Sequence, residues 1–248
     1  MDSDKFFKTR RTVRAYGAGA ISDDEIMEMI DAASHAPNTG NMQWYSVVVT
    51  RDAETKRFLS PQHFGQPQVE QAAAVLTFCI DLCRFEKWCR ISHAEPGFDN
   101  FQSFIAAIID TSLVAQQFCT IAEMRGYGTC YLGTTTYNAP QIAEILGLPD
   151  RVVPVTTLTV GICADDAPAG PTWRLPVEAI THFERYSEPS ERLVAEWYKP
   201  LEAESARFVK ENSKENLAQV FTDIRYPRES AERFSEVYYK FLEKNKFL

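Results

Sequence analysis

The sequence predicts an α+β fold in one domain, and three observations support this prediction. Stretches with apolar residues at helical spacing alternate with short runs of β-branched and aromatic residues. The segment 101–125 is apolar around most of its circumference, as expected of a helix at the centre of a core. No internal repeat or low-complexity linker interrupts the 248 residues. We therefore expect a single domain over 1–248, with about 190–248 as a C-terminal extension.

The first predicted helix has clear boundaries. Ser22 and Glu25 have the spacing of a capping box, and apolar residues follow at helical spacing. Pro37 ends the helix, because the residue before a proline is pushed out of the α region. Two strands rich in β-branched and aromatic residues are predicted next, at 44–50 and 74–80.

The long helix at 101–125 is predicted to end at Gly126 and Gly128. Because this helix is apolar nearly all round, either its own domain or a second subunit must cover it. A short helix is predicted after Asn138 and a third strand at 155–162.

The C-terminal part is less regular. From 164 to about 189 the chain is proline-rich and aperiodic. Further helices are predicted near 190–204 and 230–243 from their apolar stripes. The charged stretch 210–216 between them is predicted to be a mobile loop.

Composition argues against several classes of protein. A formal net charge of -8 disfavours a broad nucleic-acid-binding face, which needs a basic stripe. The N-terminus lacks the apolar core of a signal peptide, and no apolar run approaches the length of a membrane span. The six cysteines form no C-x-x-C pair and the four histidines no H-x₃₋₅-H pair, so no metal site is expected. We expect reduced thiols in a cytoplasmic protein.

Motifs of protein-based catalysis are missing. The glycines at 17–19 resemble a dinucleotide fingerprint, but no strand precedes them and the third glycine is Ser22. There is no Walker A loop, no G-x-S-x-G elbow and no recognisable carboxylate pair. These absences favour an enzyme whose cofactor carries the chemistry.

Two polar clusters in the first half of the chain have the composition of a binding site. The segment 9–14 (TRRTVR) contains three guanidiniums and two hydroxyls, which suit one anionic ligand. The alternative is a solvated charge run. The segment 36–44 (APNTGNMQW) offers amide and hydroxyl groups that suit a heterocycle edge or a ribityl chain. Its alternative is an ordinary helix-to-strand turn.

Two further clusters follow. In 126–134 (GYGTCYLGT), glycines allow backbone N–H groups to approach a ligand, although a helix cap with a tight connection has the same pattern. Arg174 is a single cation in an apolar, proline-bounded segment, and it could equally be a surface residue.

Together and in this order, the clusters resemble the FMN-dependent nitroreductase family, within it the branch of oxygen-insensitive NAD(P)H nitroreductases and flavin reductases. The resemblance extends from about Arg10 to Pro176. The segments that carry it are RRTVRAY, APNTGNMQ, GQPQ, GTCYLG, ILGLPDRVVPV and WRLP.

The resemblance implies a three-layer sandwich with a central, mostly antiparallel sheet flanked by helices. It also implies an interlocked homodimer, with 190–248 wrapping the partner subunit and one FMN in each of two interfacial clefts. The resemblance also implies cofactor contacts by position. At the phosphate it implies Arg10, Arg11, Thr12 and Arg174. For the rest of FMN it implies Arg14 at the N1/C2=O edge, Asn38, Thr39, Asn41 and Gln66 at ribityl and ring-edge groups, and the backbone of Leu132 and Gly133 near N5. Asn38 and Thr39 are expected to come from the partner subunit.

By the same resemblance, the expected activity is hydride transfer from NADPH or NADH, through flavin N5, to nitroaromatic, quinone or flavin acceptors by a ping-pong mechanism. No side chain is expected to act as acid, base or nucleophile. Alternatives are a non-catalytic FMN-binding or sensory protein, a structural or interaction protein without flavin, or a family member with reductive dehalogenase or flavin-destroying activity.

The sequence departs from the family pattern in two places. Thr172 stands where the branch commonly has a lysine, and Arg10 stands where it more often has histidine. The loop expected to hold the 2′-phosphate of NADPH differs as well, so the sequence gives no preference between NADPH and NADH. The physiological acceptor is not predicted.

Overall fold

A computed structural model of the chain describes residues 2–165 and 172–248. The chain divides into two compact units. The helical unit contains the described residues 2–11 and 172–233, and the core unit contains 12–165 and 234–248. Part of the aperiodic stretch predicted between 164 and 189 lies outside the described residues.

The described α-helices are α1 (Ser3–Thr9), α2 (Asp23–Ser34), α3 (Ala53–Gln62), α4 (Gln68–Gln71), α5 (Cys83–Ile91), α6 (Phe101–Met124), α7 (Ala139–Ile145), α8 (Glu191–Glu211), α9 (Leu217–Val220) and α10 (Arg228–Lys244). Short 3₁₀ turns occur at Thr39–Asn41 and Val177–Ala179, and a π-helical turn at Phe221–Arg225.

An antiparallel sheet forms the middle of the core unit. Its strands are β1 (Tyr45–Thr50), β2 (Ala74–Asp81), β3 (Gly128–Leu132) and β4 (Val152–Gly161), in the order β1-β2-β4-β3. β1 and β3 are therefore the two edge strands. Every residue of β2 is buried, as expected of a strand covered on both faces.

Alternate residues of β2 enter two different hydrophobic clusters, which shows that helices cover both faces of the sheet. Leu76 and Phe78 pack with Val114 and Phe118 of α6, in the cluster that also contains the buried face of α2. On the opposite face of the sheet, Val75 packs in a cluster with residues of α3, α4 and α7. The core unit is thus a helix–sheet–helix sandwich, and the predicted α+β class is confirmed.

The helical unit has a smaller core of its own. Val209 of α8 packs with Leu217 and Val220 of α9, and Leu201 and Phe208 flank them. The Glu202 carboxylate accepts a hydrogen bond from the backbone N–H of Leu217 at 2.9 Å. This contact ties α8 to the segment that follows it.

Elements with strong sequence signals are confirmed. The Ser22 hydroxyl accepts the Glu25 N–H at 3.1 Å and caps α2, and β1, β2, α6, α7 and β4 lie where predicted to within a few residues. Within 126–134, where glycines for ligand approach or a helix cap with a tight connection were expected, Gly128–Leu132 pairs with β4 as a strand. The helices α1, α3, α4, α5 and α9 were not predicted. The predicted loop at 210–216 is shorter, since α8 continues to Glu211.

The last residues of the chain pack on their own core unit. Phe247 is fully buried against Phe104, with ring centroids 5.4 Å apart. The guanidinium of Arg151 donates to the backbone carbonyls of Asn245 and Lys246 at 2.7 Å each. Residues 234–248 are therefore held by their own chain.

α6 is long and apolar enough to cross a membrane by length and composition alone, although the sequence suggested no such segment. Its buried side chains pack against the sheet and α2, and the buried Asp110 forms hydrogen bonds with Thr39. These contacts are those of a core helix.

Candidate functional site

An extended segment at 12–17 runs along one end of the sheet. The Val13 N–H donates to the carbonyl of Thr129 at 2.9 Å, and the Gly17 N–H donates to the carbonyl of Ile162 at 3.0 Å. Val13 is buried whereas Arg14 is exposed, because successive side chains of an extended chain point to opposite sides. These backbone hydrogen bonds thus fix the position from which the Arg14 side chain extends.

Gly128 permits this close approach. A Cβ added there would lie 2.7 Å from Cγ1 of Val13, which is closer than packed side chains allow. The prediction that this glycine serves a ligand is therefore replaced by a structural role: it lets the 12–17 segment lie against β3.

A second part of the site is the loop between α3 and α4. Gln68 is buried, and its amide donates to Oε1 of Gln66 at 2.8 Å and to the Cys130 sulfur at 3.9 Å. The oxygen of Gln66 is engaged in this way, and its amide NH₂ can donate to another group. The contact with Cys130 places this loop beside β3.

The turn after β3 forms the third part. Leu132 is buried at the end of the strand and Gly133 is exposed, with no atom within 4 Å of the position a Cβ would take. The imidazole Nδ1 of His63 lies 2.8 Å from the hydroxyl of Thr134. The side chain of Asn138 donates to the carbonyl of Gln62 at 2.7 Å. Two hydrogen bonds therefore join this turn to the end of α3.

The loop at 38–43 is built differently. Thr39 donates its backbone N–H and its hydroxyl to Oδ1 of Asp110, at 2.9 Å each. The side-chain oxygen of Asn38 accepts the Gln43 N–H at 3.3 Å, and that of Asn41 accepts the Gln43 amide at 3.2 Å. These contacts hold the predicted polar groups in a compact turn.

Positive φ angles at Gly40 (56°) and Asn41 (57°) give this turn its shape, and glycine and asparagine are the residues that adopt such angles most readily. Arg84 of α5 donates to the carbonyls of Gln43 and Tyr45, at 2.5 and 3.0 Å. Beside the turn lies a cleft of about 520 Å³, lined by Gly40, Asn41, Met42, Arg84, Phe85 and Trp88. Aromatic walls beside polar groups suit a flat ligand.

Within the core unit, the predicted contacts fall into two groups on opposite edges of the sheet. Gln66 and Gly133 lie at the β3 edge, and the loop at 38–43 precedes β1 at the other edge. Three strand spacings separate the edges, or about 14 Å. The two groups of predicted contacts are therefore separated within one chain.

Three of the remaining predicted residues, Arg10, Arg11 and Arg174, belong to the helical unit. Arg10 follows α1 with an extended backbone, and Arg11 is the next residue. Arg174 is exposed, and its guanidinium donates to the carbonyl of Trp173 at 2.9 Å. Thr12 is the first residue of the core unit. The guanidiniums of Arg10 and Arg11 and the hydroxyl of Thr12 therefore come from consecutive residues.

His63, Arg84 and Asp110 escaped the sequence analysis, although each contacts a predicted segment. Their partners are distant in the sequence, and no motif marks them. Gln68 lies in the GQPQ segment, but its role in orienting Gln66 was not predicted. Among the described residues, no three His, Cys, Asp or Glu side chains cluster as metal ligands would.

The sequence profile of the Nitroreductase family matches residues 7–162. This chain is a member of the nitroreductase family. The match covers every predicted cofactor contact except Arg174, and it confirms the resemblance seen in the sequence.

Similar proteins extend this finding to most of the chain. A Cr(VI) reductase from Pseudomonas sp. (strain G-1) is 31% identical over 200 residues, 80% of this chain and 82% of that protein. An FMN reductase (NADPH) from Bacillus subtilis (strain 168) is 31% identical over 179 residues, 71% of each chain. A crystal structure of a Bacteroides fragilis NCTC 9343 protein, 46% identical, superposes with a TM-score of 0.94 over 98% of this chain and 100% of that one. This nitroreductase-family chain therefore shares its fold with that protein over nearly its whole length.

Proposed function

We propose that this nitroreductase-family chain is an FMN-dependent oxidoreductase that moves hydride from NAD(P)H to small acceptors by a ping-pong mechanism. The observation that carries the proposal is the set of side chains and turns beside the edge strand β3. Beside this strand lie an exposed arginine on a backbone-anchored segment, a half-buried amide oriented by its neighbour and an open glycine turn, at Arg14, Gln66 and Gly133. An FMN reductase (NADPH) among its relatives supports the choice of cofactor.

The chemistry of these side chains fits FMN. The phosphate is a dianion, and Arg10, Arg11 and Arg174 supply cations while Thr12 supplies a hydroxyl, in a chain whose net charge is -8. Asn38, Thr39, Asn41 and Gln66 supply the polar groups for the ribityl chain and the ring edge. The open position at Gly133 gives backbone groups of Leu132 and Gly133 room beside a flat ring.

Bound FMN would supply the redox chemistry, which is hydride transfer between a nicotinamide and the acceptor. The residues of the chain would bind the flavin and orient it. Arg14 would supply positive charge at the N1/C2=O edge, which favours electron uptake there. Gln66, whose side chain is oriented by Gln68, would donate from its amide NH₂ to the flavin. Electrostatic stabilisation of this kind needs no side-chain acid or base.

We also propose that the two groups of predicted contacts are half-sites that meet in a homodimer. Phe101, Ile109 and Leu113 of α6 are 56%, 52% and 41% exposed and, with the half-buried Ile105, form a stripe at i,i+4 spacing. At roughly 25 cal/mol per Å², covering such a surface is strongly favourable. Thr39 is bonded to Asp110, the neighbour of Ile109, so a second chain on this stripe would meet the 38–43 loop.

On this proposal each FMN is held by Arg14, Gln66 and Gly133 of one chain and by the 38–43 loop of the other. The 190–233 segment is the part of the C-terminal region left to wrap the partner, because 234–248 packs on its own chain. We propose that both units form one functional domain over 1–248 in a cytoplasmic protein. NADPH is the first co-substrate to test, since relatives are named for it.

Spectroscopy of the purified protein tests the function. We expect the protein to bind FMN, and NADPH or NADH to bleach its visible absorbance under anaerobic conditions. A nitroaromatic or quinone acceptor should then restore the yellow colour. Protein that stays colourless after incubation with FMN would contradict the flavin site. Yellow protein that neither nicotinamide bleaches would favour a non-catalytic FMN-binding protein.

A further inference from the structure

His63 occupies an unusual position for a histidine. Its ring is fully buried at the C-terminal end of α3, in the core unit. Nδ1 lies 2.8 Å from the Thr134 hydroxyl, and the buried Nε2 has no hydrogen-bond partner among the described residues. A buried polar atom without a partner costs free energy, so packing alone would favour an apolar side chain here.

The hydrogen bond between His63 and Thr134 joins two segments that contain proposed FMN contacts. The backbone carbonyl of His63 accepts the Gln66 N–H at 3.3 Å, so the histidine begins the loop that ends at Gln66. Thr134 directly follows Gly133. A bond between these two side chains therefore fixes the distance from the amide of Gln66 to the glycine turn.

A second contact supports the same junction from the other side. The Asn138 amide donates to the Gln62 carbonyl at 2.7 Å, which uses a carbonyl at the end of α3 that has no helical partner of its own. Burial lowers the pKa of His63 to about 4, so the ring is neutral near pH 7 and forms a neutral hydrogen bond. The junction thus consists of two uncharged bonds between the same two segments.

We propose that His63 is a positioning residue that holds the Gly133 turn and the Gln66 loop at the separation FMN requires. The role rests on the proposed function, because the two segments matter as cofactor contacts. Holding them before the ligand arrives lowers the entropy cost of binding. His63 touches Thr134 and acts through it, with no direct part in the chemistry.

Four variants separate this role from simple packing. Thr134→Val removes the hydroxyl at nearly constant shape, and Thr134→Ser keeps the hydroxyl. His63→Leu removes the polar ring, and His63→Asn keeps a polar atom close to the position of Nδ1. Three measurements are made on each full-length variant: hydrogen exchange of 63–66 and 132–138 without FMN, the Kd for FMN, and visible circular dichroism of the bound flavin.

We expect Thr134→Val and His63→Leu to speed exchange in both segments together and to weaken FMN binding by about tenfold. Their bound-flavin dichroism should change, whereas Thr134→Ser and His63→Asn should restore most of both signals. A role in packing alone would lower stability and leave the dichroism of the saturated protein unchanged.

The outcomes separate the two proposals. If hydrogen exchange in both segments of Thr134→Val is as slow as in the parent, the positioning role is overturned, whether or not the parent binds FMN. Unchanged FMN affinity and dichroism in that variant overturn it as well. A parent protein that binds no FMN overturns the proposed function instead, and the exchange comparison then decides the junction by itself.

Discussion

Thr39 donates two hydrogen bonds to a single carboxylate oxygen of Asp110, one from its backbone N–H and one from its hydroxyl. Asp110 is 1% exposed and lies in the middle of α6, and its other oxygen has no hydrogen-bond partner among the described residues. The bond ties the 38–43 loop to the helix whose outer stripe is exposed. One carboxylate therefore links a proposed cofactor loop to the proposed dimer interface.

Removing this carboxylate should loosen the loop. We expect Asp110→Ala to lower the free energy of unfolding by about 1–3 kcal/mol, because two donors of Thr39 lose their acceptor. FMN affinity should fall as well. Urea unfolding and fluorimetric FMN titration measure the two effects. Asp110→Asn keeps an acceptor oxygen and should lose less, and Arg57→Ala, which removes an exposed side chain of α3, should change neither. Equal stability of Asp110→Ala and the parent would contradict the anchoring role.

Much of the core unit could be predicted because its signals are local. The capping box at Ser22 and the β-branched runs of β1 and β2 agree with the structure. β3 was missed because its sequence, GTCYL, follows a helix end and includes a glycine. Its strand conformation depends on β4 and on the 12–17 segment.

The candidate site could be predicted only as separate segments. No local pattern shows that Thr134, 71 positions away, is the partner of His63, or that Asp110 at the same separation anchors Thr39. Both partnerships follow from the packing of helices and turns around the sheet. The separation of the two groups of predicted contacts likewise follows from the strand order.

Stability should depend on pH through His63. Its pKa is about 4 in the folded protein against 6.5 for a free histidine, so between these values the unfolded chain binds a proton that the folded chain does not. Stability is therefore complete above about pH 6.5 and falls as the pH decreases toward 4. We expect a loss of about 1 kcal/mol between about pH 7.5 and about pH 5.5 from this group.

Urea unfolding of His63→Asn and the parent at these two pH values isolates the contribution. The variant should lose the part of the pH dependence that His63 supplies. His93→Asn is a matched control, because His93 is exposed and has a positive φ that asparagine tolerates. An identical pH dependence in His63→Asn and the parent would refute the assignment.

The phosphate cations should control FMN affinity. We expect Arg11→Ala and Arg174→Ala each to weaken FMN binding by about 10-fold or more, since a charge-assisted hydrogen bond contributes about 1.5–3 kcal/mol. The double variant should be largely free of FMN as purified, because Thr172 replaces the lysine common in this branch. Fluorimetric titration measures the affinities. Arg57→Ala, which removes an exposed arginine outside the proposed site, is the control. Parent-like affinity in both single variants would exclude the phosphate assignment.

Arg14 should affect reactivity more than binding. In Arg14→Ala we expect FMN to remain bound, its reduction potential to fall and its reduction by NADPH to slow, because positive charge is lost from the ring edge. Arg14→Lys keeps the charge and should recover part of the potential. Spectroelectrochemistry gives the potentials, and anaerobic stopped flow gives the rates. The role is rejected if the potential of Arg14→Ala equals that of the parent.

The central claim is that half-sites from two chains form one FMN site, and mixed dimers test it most directly. One chain carries Asn38→Ala and Thr39→Ala, and the other carries Arg11→Ala and Gln66→Ala. Each variant alone should bind FMN poorly. In a mixed dimer isolated with two different affinity tags, one site collects all four substitutions and the other none. The account predicts about one FMN per mixed dimer that NADPH can bleach. Mixed dimers as poor in FMN as the two separate variants would contradict it.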